Sequence, residues 1–267
     1  MSPVVAVLAD GAVIAKRNVI KIRRVPEVLV FVLLSPIMFV LLFAYVFGDS
    51  IDIPGGDYRE FLIAGIFAQT VLFGATFTGA GLAEDMQKGI IDRFRSLPMS
   101  RSAVLVGRTA SDVIYNVLSI VIMSVAGLLV GWRIHNSLFE ALGGFLLLLL
   151  FAYAFSWVMA YVGLAIPSVE VINQASFMIL FPITFVANTF VPSENLPPVL
   201  QTFAEWNPVS AVTQAARELF GNIPDGTPQP TAWPLENPVI YSLIWIVGII
   251  AVFAPLSVRK YKSASRR

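Results

Sequence analysis

Residues 84–108 read EDMQKGIIDRFRSLPMSRSAVLVGR, and they separate two runs, 61–83 and 113–132, that contain no Asp, Glu, Lys or Arg. A helix needs about 20 apolar residues to cross a hydrocarbon core of roughly 30 Å, so each flanking run is long enough to span a bilayer. The stretch between them carries Lys88, Arg93, Arg95, Arg101 and Arg108. An excess of Lys and Arg marks cytoplasmic loops, which places it inside the cell. Met86, Ile90, Phe94 and Leu97 recur at spacings of four, four and three, the repeat of one helix face. The spacing predicts a helix over 84–97, half apolar and half charged, lying along the membrane surface where a soluble partner can meet it.

Working outward, the same test for charge-free runs predicts six spans, at 28–48, 61–83, 113–132, 141–166, 171–193 and 238–258. Composition agrees: 57% of the 267 residues are hydrophobic and 13% charged, and the mean hydropathy of +0.78 does not suit a water-soluble globule. The fold class is therefore all-α integral membrane. Of the 18 Lys and Arg residues only Arg59, Arg133 and Arg217 fall on the outer side of a six-span topology with both termini cytoplasmic, and such a distribution is what orients membrane proteins. The first ~25 residues are too polar for the apolar region of a cleavable signal peptide.

Residues 1–25 predict a second interfacial helix. Val5, Leu8, Ala12, Ala15, Val19 and Ile22 repeat at alternating spacings of three and four beside Arg17, Lys21 and Arg24, so the apolar stripe can enter the interface while the cations face lipid headgroups. Ser35-Pro36 predicts a kink in the first span. Gly65, Gly74, Gly79 and Gly81 lie in the second, and small residues let helices approach closely, which puts this span inside the bundle. The outer segment 194–237 is rich in proline. Within it Asn207-Pro208 reads as a helix cap with proline at the first helical position, and Gly221 suits the far end. With the apolar piece from Leu196 to Trp206 it predicts short outer helices forming a re-entrant hairpin between spans 5 and 6.

Tyr153, Trp157 and Tyr161 form one aromatic face on the fourth span, and Asn173, Thr184 and Asn188 are polar positions of the fifth. Together with Gln69 and Thr76 of the second span they are either the walls of a substrate path or packing inside the bundle. No Gly-Lys dipeptide occurs, so the chain has no phosphate-binding loop of the GxxxxGK[ST] type. His135 is the one histidine and there is no cysteine, which leaves no paired-His or thiolate metal site. The centres of the spans carry no ionisable side chain of the kind proton relays use. Catalytic residues, metal and cofactor are therefore expected to be none in this chain, with no nucleic-acid partner.

The order of these features resembles the ABC-2 type transport permeases, and within them the daunorubicin-resistance-type branch of drug and lipid exporter membrane subunits. The loop carries most of the likeness: Glu84-Asp85, Gly89, Arg95 to Pro98, Ser100-Arg101 and Gly107-Arg108 follow the family pattern, as do Asn207-Pro208, Arg217 and Gly221 before the last span. The resemblance covers residues 1–267 as a single transmembrane domain. It implies a coupling helix at 84–97 that takes up the motion of an ATP-binding-cassette ATPase subunit in two copies, with ATP and Mg held by that partner. The residues it assigns to coupling are Glu84, Asp85, Met86, Gly89, Ile90, Arg93, Phe94, Arg95, Leu97, Pro98 and Arg101. It further implies a second permease copy or related subunit, surrounding membrane lipid, and a bacterial cell membrane. Phe-, Leu- and Met-rich spans favour an amphipathic drug or lipid as cargo. The alternatives are export of a cell-envelope lipid or polysaccharide precursor and, more remotely, an intramembrane lipid-modifying enzyme.

Overall fold

The computed structural model describes residues 3–24, 26–47, 53, 56–96, 102–166, 168–223 and 230–263, and every regular element among them is helical. In chain order these are α1 (Pro3–Arg24), α2 (Pro26–Leu42, continued by a π-helical turn Phe43–Phe47), α3 (Tyr58–Gly74), α4 (Thr76–Gln87), α5 (Ile90–Ser96) and α6 (Ala103–Val130). There follow α7 (Leu138–Ala165), α8 (Val169–Val186), α9 (Pro198–Trp206), α10 (Pro208–Phe220), α11 (Trp233–Glu236) and α12 (Pro238–Ser263). At 28 residues each, α6 and α7 reach about 42 Å, beyond the thickness of a hydrocarbon core. Five helical stretches among the described residues are long and apolar enough to cross a membrane: Tyr58–Gln87, α6, α7, α8 and α12. The chain is thus a multi-pass membrane protein. The run expected to cross first, 28–48, is occupied by α2 and its π-helical extension, of which Leu34–Val46 is a shorter apolar helix.

The Tyr58–Gln87 stretch is the centre of the bundle. Its most apolar window is 78% buried, against 22% for α8 and 17% for α12, so the helix with the most small residues is the one the others surround. It breaks at Ala75, whose amide is shared between the carbonyls of Val71 and Leu72, while the Thr76 hydroxyl bonds back to the Phe73 carbonyl. Such back-bonding bends helices. The ends are capped as their residue types dictate: Asp57 accepts from the Arg59 amide, Ser137 and Glu140 form a capping box at α7, and Ser168 accepts from Val171 N.

Two expected elements are different in the structure. The single helix over 84–97 is divided into α4 and α5 by Lys88 and Gly89. Gly89 has φ +65, a left-handed conformation in which a Cβ is disfavoured, and the Lys88 and Gly89 amides close on Glu84 and Met86 to end α4. Because the break resets the helical phase, Ile91 is buried in place of Ile90. Leu97, Pro98 and Arg101 lie outside the described residues, as does the Arg95 side chain. The second difference is the run 171–193, where α8 stops at Val186 and Ala187 turns the chain into extended backbone, ψ 164.

That early end exposes carbonyls inside the protein, and Arg217 meets them. Its side chain is buried; Nη2 donates to Asn188 O at 2.7 Å and to Thr189 O at 3.3 Å, and Nε donates to Phe61 O at 3.0 Å. The guanidinium also lies 3.4 Å from the centroid of the Phe61 ring, a cation–π stack. Gly65 makes the approach possible, since a Cβ there would fall on the Thr189 carbonyl. Arg217 is delivered by α10, which begins with Asn207 accepting from Val209 N and ends at Gly221, φ 73. Asn207 also donates to Ile183 O, and Ser210 accepts from Asn188 N. Val209, Val212 and Ala216 face inward, so α10 lies within one end of the bundle while α9 exposes Val199, Phe203 and Trp206.

At the other end, rich in Lys and Arg, α1 packs along the start of α6 through Gly11, Ile14 and Asn18, with Asn18 donating to Ser111 Oγ. Ala12 and Val13 remain exposed. Arg17, expected to face lipid headgroups, is turned inward instead: it forms a two-pronged ion pair with Asp85 at 2.7 and 2.9 Å and lies over the Phe94 ring. A buried carboxylate needs such a partner, and the pairing residue lies 68 positions away, beyond any local pattern.

Replacing Arg217 by Met leaves three interior carbonyls without their donor. The expected loss is about 3–5 kcal/mol, read as a lower midpoint in denaturant titration of the detergent-solubilised protein. Arg217→Lys recovers only part, because one ammonium cannot stand in for the separate Nε and Nη2 donors or stack flat on Phe61; a wild-type midpoint for the Met variant would contradict this account.

Candidate functional site

A cavity of about 470 Å³ lies between five helices, in the size range of small-molecule sites. Ser35, Pro36 and Phe39 of α2 form one wall and Phe177 and Phe181 of α8 the opposite one. Its back is Gln69, Thr70, Phe73 and Gly74 of α3, with Thr76 and Phe77 of α4 and Tyr115 of α6. Among the described residues half of the lining is aromatic and none of it is charged. The break at Ala75 therefore falls within the cavity wall.

From the cavity a ladder of phenylalanine rings climbs toward the α10 end. Phe177 stacks on Phe181 at 5.0 Å, Phe181 on Phe185 at 4.1 Å, and Phe185 meets Phe190 at 4.6 Å between centroids. Phe43 closes over Phe190 at 4.6 Å. These are offset and tilted contacts of the favourable kind. The top rung is fixed, because Phe190 O accepts from Tyr58 Oη at 2.9 Å and the preceding carbonyls are held by Arg217. The sequence signal for the ladder is Phe177, Phe181 and Phe185 at spacing four, one face of α8.

Below the cavity, the floor residues Phe77 and Tyr115 lie with ring centroids 5.1 Å apart. Arg108 Nη2 donates to Phe77 O at 2.6 Å, and Thr78 donates to the buried Asp112. These two links fasten α4 to α6 directly under the cavity. One turn and more further along, Asp85 takes Arg17, and then α4 gives way to α5.

The α4–α5 corner is the other candidate surface. Met86, Ile91 and Phe94 pack into an apolar cluster with Leu82, Val104, Leu105, Leu164 and Tyr261. Glu84 pairs with Lys88 at 2.6 Å, and Arg93 is exposed. The apolar half of this corner is thus fixed by the bundle, and its polar half faces out.

The residues singled out in the sequence are distributed unevenly over these features. Gln69 and Thr76 line the cavity, although the Thr76 hydroxyl is engaged by Phe73 O. Tyr153, Trp157 and Tyr161 lie against α12 instead: Trp157 O accepts from Ser257, and Tyr161 meets Phe253 at 6.2 Å. Asn173 is exposed. Thr184 bonds to the carbonyls of Leu180 and Phe181 in its own helix, and Asn188 belongs to the Arg217 knot. His135 Nε2 lies 2.7 Å from Glu60 on the surface. Among the described residues no group of three His, Cys, Asp or Glu side chains is placed to hold a metal.

Residues 11–220 match the family described as ABC-2 type transporter. The daunorubicin resistance ABC transporter permease protein DrrB1 of Streptomyces coeruleorubidus is 32% identical over 247 residues, covering 92% of this chain and 84% of the relative. The probable doxorubicin resistance permease DrrC of Mycobacterium tuberculosis is 24% identical over 86% of this chain and 80% of its own. The inner membrane transport permease YadH of Escherichia coli K12 is 23% identical over 77% of this chain and 81% of its own. The matched region runs from α1 through the last residue of α10, so it includes the α4–α5 corner, the cavity and the Arg217 knot together. The chain belongs to the ABC-2 type transporter family, as a membrane permease.

Proposed function

We propose that this permease moves amphipathic, drug-like molecules outward across a bacterial cell membrane, using ATP hydrolysed by a separate ATP-binding-cassette ATPase. Six spans cross the bilayer, α2 with its extension being the first, and both termini with the Lys- and Arg-rich end lie in the cytoplasm. The helices α9 and α10 form a re-entrant hairpin on the outer side. Two ATPase copies dock on two permease copies, and the α4–α5 corner receives the ATPase. Glu84, Asp85, Met86, Gly89, Ile90, Arg93, Phe94, Arg95, Leu97, Pro98 and Arg101 serve this coupling.

The observation that carries the reading is the continuity of α4. The same helix supplies the cavity floor at Phe77, the buried links to α6 through Phe77 O and Thr78, and the ion pair to α1 at Asp85 before it reaches the corner. A push on α5 therefore has a packed path to the cavity wall. Names of relatives that mention daunorubicin and doxorubicin resistance support a drug-like cargo. An aromatic, uncharged cavity wall suits such a cargo better than a sugar polymer, which needs hydrogen-bonding groups along its length.

Charge reversal of Arg93 and Arg95 to Glu is expected to abolish ATP-driven export while the permease itself stays folded; unchanged transport together with unchanged ATPase recruitment would refute the assigned corner. Gly89→Ala meets no neighbour and costs only backbone strain, about 1 kcal/mol. It is expected to leave the unfolding midpoint nearly intact but to lower the transport stimulated per ATP hydrolysed, as measured in proteoliposomes with the partner ATPase.

A further inference from the structure

We propose that Arg17 is a positioning residue for the α4–α5 corner. From α1 its guanidinium engages the Asp85 carboxylate on α4 and the Phe94 ring on α5 at once, and so sets the direction in which α5 leaves α4. The inference deepens the reading of this corner as the face that receives the ATPase, and rests on it.

The corner does not fix its own angle. Gly89 stands at φ +65, and a Cβ built there meets nothing within 4 Å, so that side of the break is open. Beyond it α5 has 7 residues, about two turns, and a helix this short is not stable by itself. Its direction is therefore set by what its side chains touch. Ile91 and Phe94 enter the apolar cluster with Leu82, Val104, Leu105 and Tyr261, which resists their withdrawal, but burial of apolar surface is non-directional. Asp92 and Arg93 are exposed on α5 and turn with it. The direction of α5 thus decides where the corner presents its charge.

Arg17 supplies direction from a fixed base. The backbones of α1 and α6 touch, since a Cβ on Gly107 would fall on the Gly11 carbonyl, and Asn18 donates to Ser111 Oγ at 3.2 Å. From that base Arg17 Nη2 donates to both Asp85 oxygens, at 2.7 and 2.9 Å, on the α4 side of the break. The guanidinium carbon lies 5.1 Å from the Phe94 centroid, on the α5 side. Nη1 is buried and takes no hydrogen bond among the described residues, so the second engagement of the group is through its face. A planar guanidinium can meet a carboxylate and a ring together, which an ammonium cannot do. With the Arg17 side chain 32% exposed, the ion pair adds little to global stability. Two restraints on opposite sides of a glycine break nonetheless define one angle.

Pulsed electron–electron double resonance on the full-length permease in nanodiscs tests this directly. The sequence has no cysteine, so Asp92→Cys on α5 and Val121→Cys on α6, both at exposed positions, take two nitroxide labels at defined places. Diluted with unlabelled permease, the labelled chain is expected to give one narrow distance distribution. Arg17→Met and Phe94→Leu should each raise the share of displaced distances about two- to fivefold. The double variant should go no further than either alone, because both act through one contact, and Arg17→Lys should fall between Met and wild type. Unfolding midpoints are expected to stay at the wild-type value. With the partner ATPase in proteoliposomes, Arg17→Met should lower ethidium export per ATP hydrolysed by a similar factor. Unchanged distances in Arg17→Met or in Phe94→Leu, a Lys variant identical to wild type, or displaced distances that appear only with a lowered midpoint would each overturn the proposal. The ATPase is absent from the distance measurement. Unchanged distances alongside lost export in the Arg93 and Arg95 reversal remove the inference alone, whereas a displaced α5 in Arg17→Met alongside intact export in that reversal removes the corner reading and leaves Arg17 holding α5.

Discussion

Backbone polarity in an apolar medium is the constraint on which this structure depends, and the Arg217 guanidinium is where it is met. A membrane helix is stable because it satisfies its own amides and carbonyls, so a helix that ends early must find donors elsewhere. Here α8 ends at Val186, and the carbonyls of Asn188 and Thr189 are taken by Nη2 of the guanidinium while Phe61 O is taken by Nε. An arginine fits this position because its planar fork donates in fixed directions and its face can stack on Phe61. Three separate parts of the chain, α3, the end of α8 and α10, are thereby joined at one buried point. The uncapped alternatives would leave carbonyls unpaired, each at a cost of about 1–3 kcal/mol.

The opposite end is held by a different kind of contact. Arg17 and Asp85 tie α1 to α4, Asn18 and Ser111 tie α1 to α6, and Arg108 with Asp112 ties α6 to α4. Arg17 keeps about a third of its side chain in solvent, so its pair is screened and weaker than the buried Arg217 knot. One end of the bundle is thus locked by bonds to interior backbone carbonyls and the other mainly by side-chain pairs, of which the Arg17 pair is open to solvent. The aromatic group at the locked end, with Trp206 and Trp233 edge-on to Tyr241 and Tyr241 to Trp245, has the amphipathic rings that favour a membrane–water boundary.

The sequence makes plain whatever depends on local pattern. Charge-free length locates the apolar helices, and Asn207, Pro208 and Gly221 mark both ends of α10 because caps are chemistry of neighbouring residues. Gly89 is visible in the sequence, yet the apolar repeat from Met86 to Leu97 runs through it, and only the left-handed φ divides α4 from α5. The role of Arg217 is hidden for a stronger reason: its partners are carbonyls, which every residue has, so no side-chain pattern announces them. Arg17 and Asp85 are hidden by distance along the chain. The cavity is partly legible. Gln69 and Thr76 stand out as polar residues in an apolar helix, but the phenylalanines at 177, 181 and 185 look like ordinary span residues until α2 is placed across from them. Conversely, Tyr153, Trp157 and Tyr161 form a clear stripe whose partner is α12, because an aromatic face specifies close packing without specifying what it packs on.

The two ends meet in the interrupted helix. The α3 half carries Phe61 and Gly65 at the Arg217 knot, and the α4 half carries Phe77, Thr78 and Asp85 at the links to α6 and α1. Between them the amide of Ala75 and the hydroxyl of Thr76 keep the break hydrogen-bonded. Gly74 and Thr76, on either side of the joint, both line the cavity. The interruption of the central helix and the cavity wall are therefore built from the same few residues, and the span that forms the core of the fold also shapes the cavity.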